Sequence, residues 1–329
     1  MTNFAPAVEA FFVSRAPRKD SSHTVAAYRR DLAAVADAAS RACGTDVAGL
    51  DCDRLGAEVM RRAFAEFSAS RAKSSIARAW SVWNAFFGFC VGEGLVEGNP
   101  MQAVARPKAA VRVPKPLRGE DAADRLLRQV ASGARRARDP WPRRDVAVLA
   151  MLLLTGLRSS ELLALRVGDV AGPSRERRVV VRGGKGGGDR VVPVEYPLEV
   201  LLDAYADSRR ERFAAAKWPP SADAALFVDG RGDGLTRNQL QYLVRQCYRA
   251  AGVSDAVEAG ALVHALRHTF ATRLGQSGAS AVEVMELLGH RSLAASQGYI
   301  KATARELRQA VASNPMYGSL RDLGGGSVE

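Results

Sequence analysis

VHALRHTFATRL, residues Val263 to Leu274, holds two of the chain's four histidines with an arginine between them. Its apolar residues recur at helical spacing, so the stretch reads as a helix. His264 and His268 then stand four apart on one face, the spacing of a zinc-binding helix. The residues themselves argue against a metal. Ala265 fills the position of that motif's general base, Arg267 would set a permanent cation beside the ion, and no acidic third ligand is near. The pair His264 and Arg267, three apart, makes better chemical sense. A guanidinium offers a planar fork to two phosphate oxygens, and an imidazole can donate to a third or move a proton near neutral pH. That is half of a phosphoryl-binding site.

Three other stretches supply candidates for the remainder. TGLRSSELLAL (Thr155 to Leu165) puts Arg158 after an apolar helix and a Thr-Gly turn, with Glu161 three residues on to orient it or to cap the next helix. RGGKGGGDRVVPV (Arg182 to Val194) carries Lys185, the lone lysine at what reads as a hairpin tip. LLGHRSLAASQGYIKAT (Leu287 to Thr303) gives His290 and, nine residues later, Tyr299.

The surrounding chain divides by composition. The first hundred residues read as helical throughout, over Ser21–Ala42, Arg54–Ser70 and Ser74–Val96, with Gly98 and Pro100 ending the last. Phe86, Phe87 and Phe89 are expected in the core of that bundle. Residues 105 to 118 contain three prolines and five Lys/Arg with no acid, an extended basic linker. Beyond Glu120 the pattern is mixed. Helices are expected over Ala122–Ala131, over Asp145–Leu154 and from about Ser160. Strands are expected over Arg177–Gly183 and Asp189–Val194, and capping boxes at Thr236/Gln239 and Ser280/Glu283 announce further helices. The expected fold is mainly α with a small β component. A helical bundle fills residues 1–104, a linker 105–119, and a mixed α+β domain 120–329.

The 329 residues carry a formal net charge of +12, with a pI near 10.0. Met1 to Ala110 hold 14 basic and 11 acidic residues, so only +3 of that excess lies there. Such a balance fits a polyanionic partner. The longest apolar run, Val146–Leu154, is too short to span a bilayer, and the N-terminus lacks the pattern of a signal peptide. Cys43, Cys52, Cys90 and Cys247 are scattered, as expected of reduced thiols. A cytoplasmic protein is the expectation.

The motifs TGLRSSEL, HALRHTFAT and LLGH…Y, in this order with a hairpin lysine between, resemble those of the tyrosine recombinases, or phage-integrase-type recombinases, nearest to Xer-type and short integrase members. The likeness runs over most of the chain and implies a helical core-binding (SAM-like) domain followed by the catalytic domain. It implies that Tyr299 is the nucleophile forming a 3′-phosphotyrosyl link, that Arg158 and Arg267 clamp the phosphate, that Lys185 protonates the leaving oxygen, that His264 and His290 assist, and that Glu161 supports from behind. The implied partners are double-stranded DNA and further copies of the chain in a synaptic tetramer on two sites, with an accessory directionality factor left open. No cofactor, metal or membrane is implied, and the expected location is the cytoplasm in association with a bacterial nucleoid.

Candidate DNA contacts are Arg29, Arg30, Arg61, Arg62, Arg71 and Lys73 in the bundle and Arg106, Lys108, Arg112 and Lys115 in the linker, each with a solvated face as the rival reading. His268 reads as a structural helix residue and His23 as a surface one. Leu307, Val311 and Met316 are, by the resemblance, knobs that dock on a neighbouring protomer. Two departures stand out: GGGD fills the hairpin stretch before Arg190, and Gly298 precedes Tyr299 where relatives carry bulkier residues. Two other functions remain open. A type IB topoisomerase shares the chemistry without synapsis, and a catalytically silent DNA-binding regulator would share only the fold.

Overall fold

A computed structural model describes residues 3–107, 115–133, 135, 137, 139–183, 188–258 and 261–289. The chain divides into two compact units, Met1–Arg112 and Val113–Glu329. Lys108, Arg112, Lys185, His290, Tyr299, Leu307, Val311 and Met316 lie outside the described residues.

The first unit is a helical bundle: α1 (Phe4–Ser14), α2 (Ser22–Cys43), α3 (Ala57–Ser68) and α4 (Lys73–Gly92). Helix α4 buries Ala79, Val82, Trp83, Phe86, Phe87 and Cys90, a stripe at the i, i+3, i+4 spacing that turns one helical face inward. Phe4 stacks on Trp83 at 5.5 Å, and Phe11 meets Phe86 edge-on at 5.6 Å. Phe86 and Phe87 are fully buried, while Phe89 is half-buried at the core's edge against Phe11. Ser21 caps α2 through the Thr24 N–H, and Gly44 in the left-handed region ends it. Asp31 is buried on α2 because Arg78 answers both its oxygens, at 2.6 and 3.0 Å. His23 is exposed.

The second unit packs α5 (Ala122–Ala131), α6 (Pro142–Thr155), α7 (Ser159–Ala164), α8 (Tyr196–Arg212), α9 (Arg237–Ala250), α10 (His264–Gln276) and α11 (Ala281–Leu288) with one small sheet. Helix α6 is buried on nearly every side, which explains its continuous apolar run. It begins three residues earlier than the pattern suggests because Pro142 occupies its first turn, where the missing N–H costs nothing. The sheet is antiparallel in the order β1 (Val170–Ala171), β2 (Arg178–Val181), β3 (Arg190–Pro193). The β2–β3 pair is the expected hairpin, with Val179 opposite Val192 and Val181 opposite Arg190. Val179, Val181, Val192 and Val194 are buried, while Val191 on the alternate face is exposed.

Both capping boxes form: Thr236 and Gln239 exchange bonds at the start of α9, and Ser280 and Glu283 at the start of α11. The described ends of the Pro-containing stretch are each attached to their own unit. Val104 accepts the Trp80 indole N–H at 3.0 Å. On the other side the buried Leu117 donates its N–H to Thr269 Oγ1 at 2.9 Å, and Arg118 donates to the Asp255 and Ala256 carbonyls. Cys52, Cys90 and Cys247 are buried and Cys43 half-buried, all as free thiols. Among the described residues no helix is long and apolar enough to cross a membrane.

Candidate active site

Three segments distant in sequence meet on one carboxylate. Glu161 lies in the first turn of α7 with only 3% of its side chain exposed. Arg158, the residue flanking that helix, donates its backbone N–H to Glu161 Oε2 at 2.8 Å and its Nη1 to Oε1 at 2.6 Å. From β3, Arg190 sends two parallel bonds, Nη1 to Oε1 at 2.9 Å and Nη2 to Oε2 at 2.7 Å. From α10, Arg267 Nη1 stands 3.8 Å from Oε2. Burial acts to raise the Glu161 pKa, but the Arg190 fork and the Arg158 donors outweigh it and hold it at about 2. The carboxylate is therefore ionised at neutral pH.

The same three arginines grip the last turn of α11. Arg190 Nε donates to Leu287 O at 2.9 Å, Arg267 Nη2 to Leu288 O at 2.7 Å, and Arg158 Nη2 to Gly289 O at 3.3 Å. A helix leaves its final carbonyls without intrahelical donors, and cations complement the dipole there. Arg267 Nη1 also donates to Gly156 O at 2.5 Å. Gly156 closes α6 with φ +63°, and a Cβ there would overlap the Phe270 ring and stand 2.8 Å from Leu288 Cδ2. Only glycine fits both the backbone and the space.

The cluster grades from inside to outside. Arg267 is buried, the Arg158 side chain is 39% exposed, and His264 at the start of α10 is exposed. The His264 pKa is lowered, first by partial loss of water and then by the charges of Arg267, Arg237 and Arg158. That of His268 is held at about 4 by burial, with His264, Arg267 and Lys115 adding to the effect. The two rings lie 6.4 Å apart, centroid to centroid. Both imidazoles are neutral at pH 7. Among the described residues no group of three His, Cys, Asp or Glu side chains is placed to hold a metal ion. Three guanidiniums against one carboxylate leave two positive charges, which matches the two negative charges a phosphodiester reaches when an oxyanion adds to it.

The structure thus brings Arg158, Glu161, His264 and Arg267 together, while Lys185, His290 and Tyr299 fall outside the described residues. The basic candidates elsewhere differ in their engagement. Arg29 pairs with both oxygens of Glu9 and lies over the Phe12 ring at 4.3 Å. Arg62 pairs with Glu58 and Lys115 with Glu258. Arg71 covers Phe67 and Arg106 covers Trp80. Arg30, Arg61 and Lys73 are exposed. Arg190 was not among the residues singled out by sequence. The signal for it is its phase: it lies on the same strand face as the buried Val192 and Val194, so it faces inward where an arginine needs a partner.

Two family models match the chain. The phage integrase family covers residues 120–306, and the phage integrase N-terminal SAM-like domain covers residues 15–94. Among curated relatives, tyrosine recombinase XerC 1 of Ralstonia nicotianae is 35% identical over 292 residues, covering 86% of this chain and 84% of that protein. Tyrosine recombinase XerD of Mycobacterium leprae is 33% identical over 295 residues, with 89% and 90% covered. Among solved structures, a XerH site-specific recombinase bound to a difH substrate in a pre-cleavage complex superposes with a TM-score of 0.67 at 20% identity, covering 88% of this chain and 79% of that one. A lambda integrase dimer bound to a COC′ core site gives 0.67 at 16% identity, covering 93% and 98%. These likenesses to solved structures establish the shared fold.

Proposed function

The chain belongs to the phage integrase family as a tyrosine-type site-specific recombinase, and on that premise we propose that it cuts and rejoins double-stranded DNA through a 3′-phosphotyrosyl intermediate on Tyr299. The observation that carries this reading is the convergence of Arg158 and Arg267 on Glu161, beside the neutral ring of His264.

In the first step the Tyr299 phenol oxygen bonds to the scissile phosphorus as its proton leaves, and the bond to the 5′ oxygen breaks. Arg158 and Arg267 hold the non-bridging oxygens while charge builds on the pentacoordinate phosphorus. His264, neutral at pH 7, accepts the proton that leaves Tyr299, and His290 donates to the phosphate. Lys185 protonates the departing 5′ oxygen. Rejoining is the reverse, with a 5′-hydroxyl from the same or a partner strand attacking the phosphotyrosine. The phosphodiester energy is kept in the covalent link, so strand exchange requires no nucleotide hydrolysis. Four protomers on two sites would accomplish a complete exchange. The net charge of +12 supports a DNA partner, as do the DNA-bound states of the XerH and lambda integrase structures.

Covalent capture tests the reading. Purified protein is mixed with sheared genomic DNA and denatured in detergent, and protein-linked fragments are sequenced, with Tyr299→Phe in parallel. One enriched sequence, lost in the variant, is the expected result. Attachment scattered over unrelated sequences would indicate a topoisomerase. Tight binding without attachment would indicate a regulator.

A further inference from the structure

Arg190 takes no part in the chemistry above, yet all three of its guanidinium nitrogens are committed inside the site. It is the first residue of β3 and pairs with Val181 on β2, at the end of the hairpin nearest Lys185 in sequence. Its side chain is 11% exposed, far less than the 39% of Arg158. An anion as buried as Glu161 needs a full counter-ion. Were Arg158 that counter-ion, its fork would be spent on the carboxylate. Instead Arg190 supplies the parallel pair of N–H bonds to both Glu161 oxygens, and the Arg158 side chain gives the carboxylate a single nitrogen.

We propose that Arg190 is a positioning residue for strand cleavage: by neutralising Glu161 and holding the Leu287 carbonyl, it spares Arg158 full pairing with the carboxylate, so that the partly exposed Arg158 guanidinium, with one nitrogen on Glu161 and one on the Gly289 carbonyl, stays available to a phosphate, and it ties the hairpin strand to the last turn of α11. The inference rests on the strand-cleavage reading. The charged groups facing Glu161 are Arg158 beside its own helix, Arg190 from β3 and Arg267 from α10, while the end of α11 presents carbonyls to those arginines. Glu283 and Glu286 of α11 line the neighbouring groove with Arg190. Without Arg190 the carboxylate keeps its burial and loses the stronger of its partners. It then draws Arg158 into full pairing, and at lower pH takes up a proton and ceases to orient Arg158 at all.

The test is single-turnover cleavage of a DNA fragment recovered by covalent capture, measured from pH 8 down to about pH 5 for wild type, Arg190→Gln, Arg190→Lys and the double variant Arg190→Gln/Glu161→Gln. Arg190→Gln is expected to bind the fragment within about threefold of wild type and to cleave it about 100-fold more slowly, as misplaced reacting groups do. The deficit should deepen as pH falls. Arg190→Lys should recover part of the rate, and the double variant should lose the added pH dependence. Wild-type cleavage by Arg190→Gln, or a deficit equal at every pH and not relieved by lysine, overturns the proposal. Should Arg190→Gln fail to fold, as judged by near-UV dichroism, Arg190→Lys carries the test, and a wild-type rate there overturns it. Absence of any adduct with wild type is a separate result: it defeats the cleavage reading itself, and this inference with it.

Discussion

A carboxylate with 3% of its side chain exposed stays ionised only because charged donors surround it, and at Glu161 those donors are Arg158, Arg190 and Arg267. Its pKa is depressed from the ordinary 4.5 to about 2. A depressed carboxylate contributes stability that is fully present above its unfolded pKa and is lost as pH falls through the folded one. The contribution is about 3 kcal/mol, vanishing between pH 4.5 and about 2. Glu161→Gln should therefore cost about 3 kcal/mol at pH 7 by urea denaturation. The gap from wild type should narrow steadily as the pH is lowered toward 3, and a gap independent of pH would refute the charge argument. Arg267→Lys keeps a charge but cannot reach both Gly156 O and Leu288 O, so cleavage should fall about 100-fold or more in a single-turnover assay. Sequence made Arg158, Glu161, His264 and Arg267 legible because their spacings place polar groups together on short elements. Arg190 was hidden because a charged residue in a short hairpin strand usually faces water. Only its register with buried valines shows otherwise.

The elements were readable where one face is plainly apolar. Helix α4 declares itself through its aromatic stripe, and α9 and α11 through their capping boxes. Strand β1 did not, since two residues are too few for any alternation to register. Helix α8 is likewise hard to read from sequence, because Glu195 gives it no side-chain cap and its C-terminal end is crowded with arginines. The junction of α6 with α10 and α11 depends on Gly156. Gly156→Ala would strain the left-handed backbone and press on Phe270 and Leu288. A loss of about 2–4 kcal/mol is expected from the denaturation midpoint. Cleavage should suffer beyond that loss, because the Gly156 carbonyl also receives Arg267.

At the scale of the molecule, most of the positive charge lies beyond residue 110, in the unit that carries the catalytic candidates. DNA binding should therefore weaken steeply with salt, log K falling linearly with log salt by about 0.9 per neutralised phosphate. A slope near zero would be incompatible with a backbone-dominated interface. The helical bundle and the mixed catalytic unit were both evident from composition, since one half lacks strand-like alternation and the other contains it. The most direct measurement of the central claim is mass spectrometry of the covalent adduct after digestion of both protein and DNA. The expected species is the peptide containing Tyr299 linked to a 3′-terminal nucleotide phosphate. A nucleotide on any other residue, or attached through its 5′ phosphate, would contradict the assignment of Tyr299 as the nucleophile and of a 5′-hydroxyl as the leaving group.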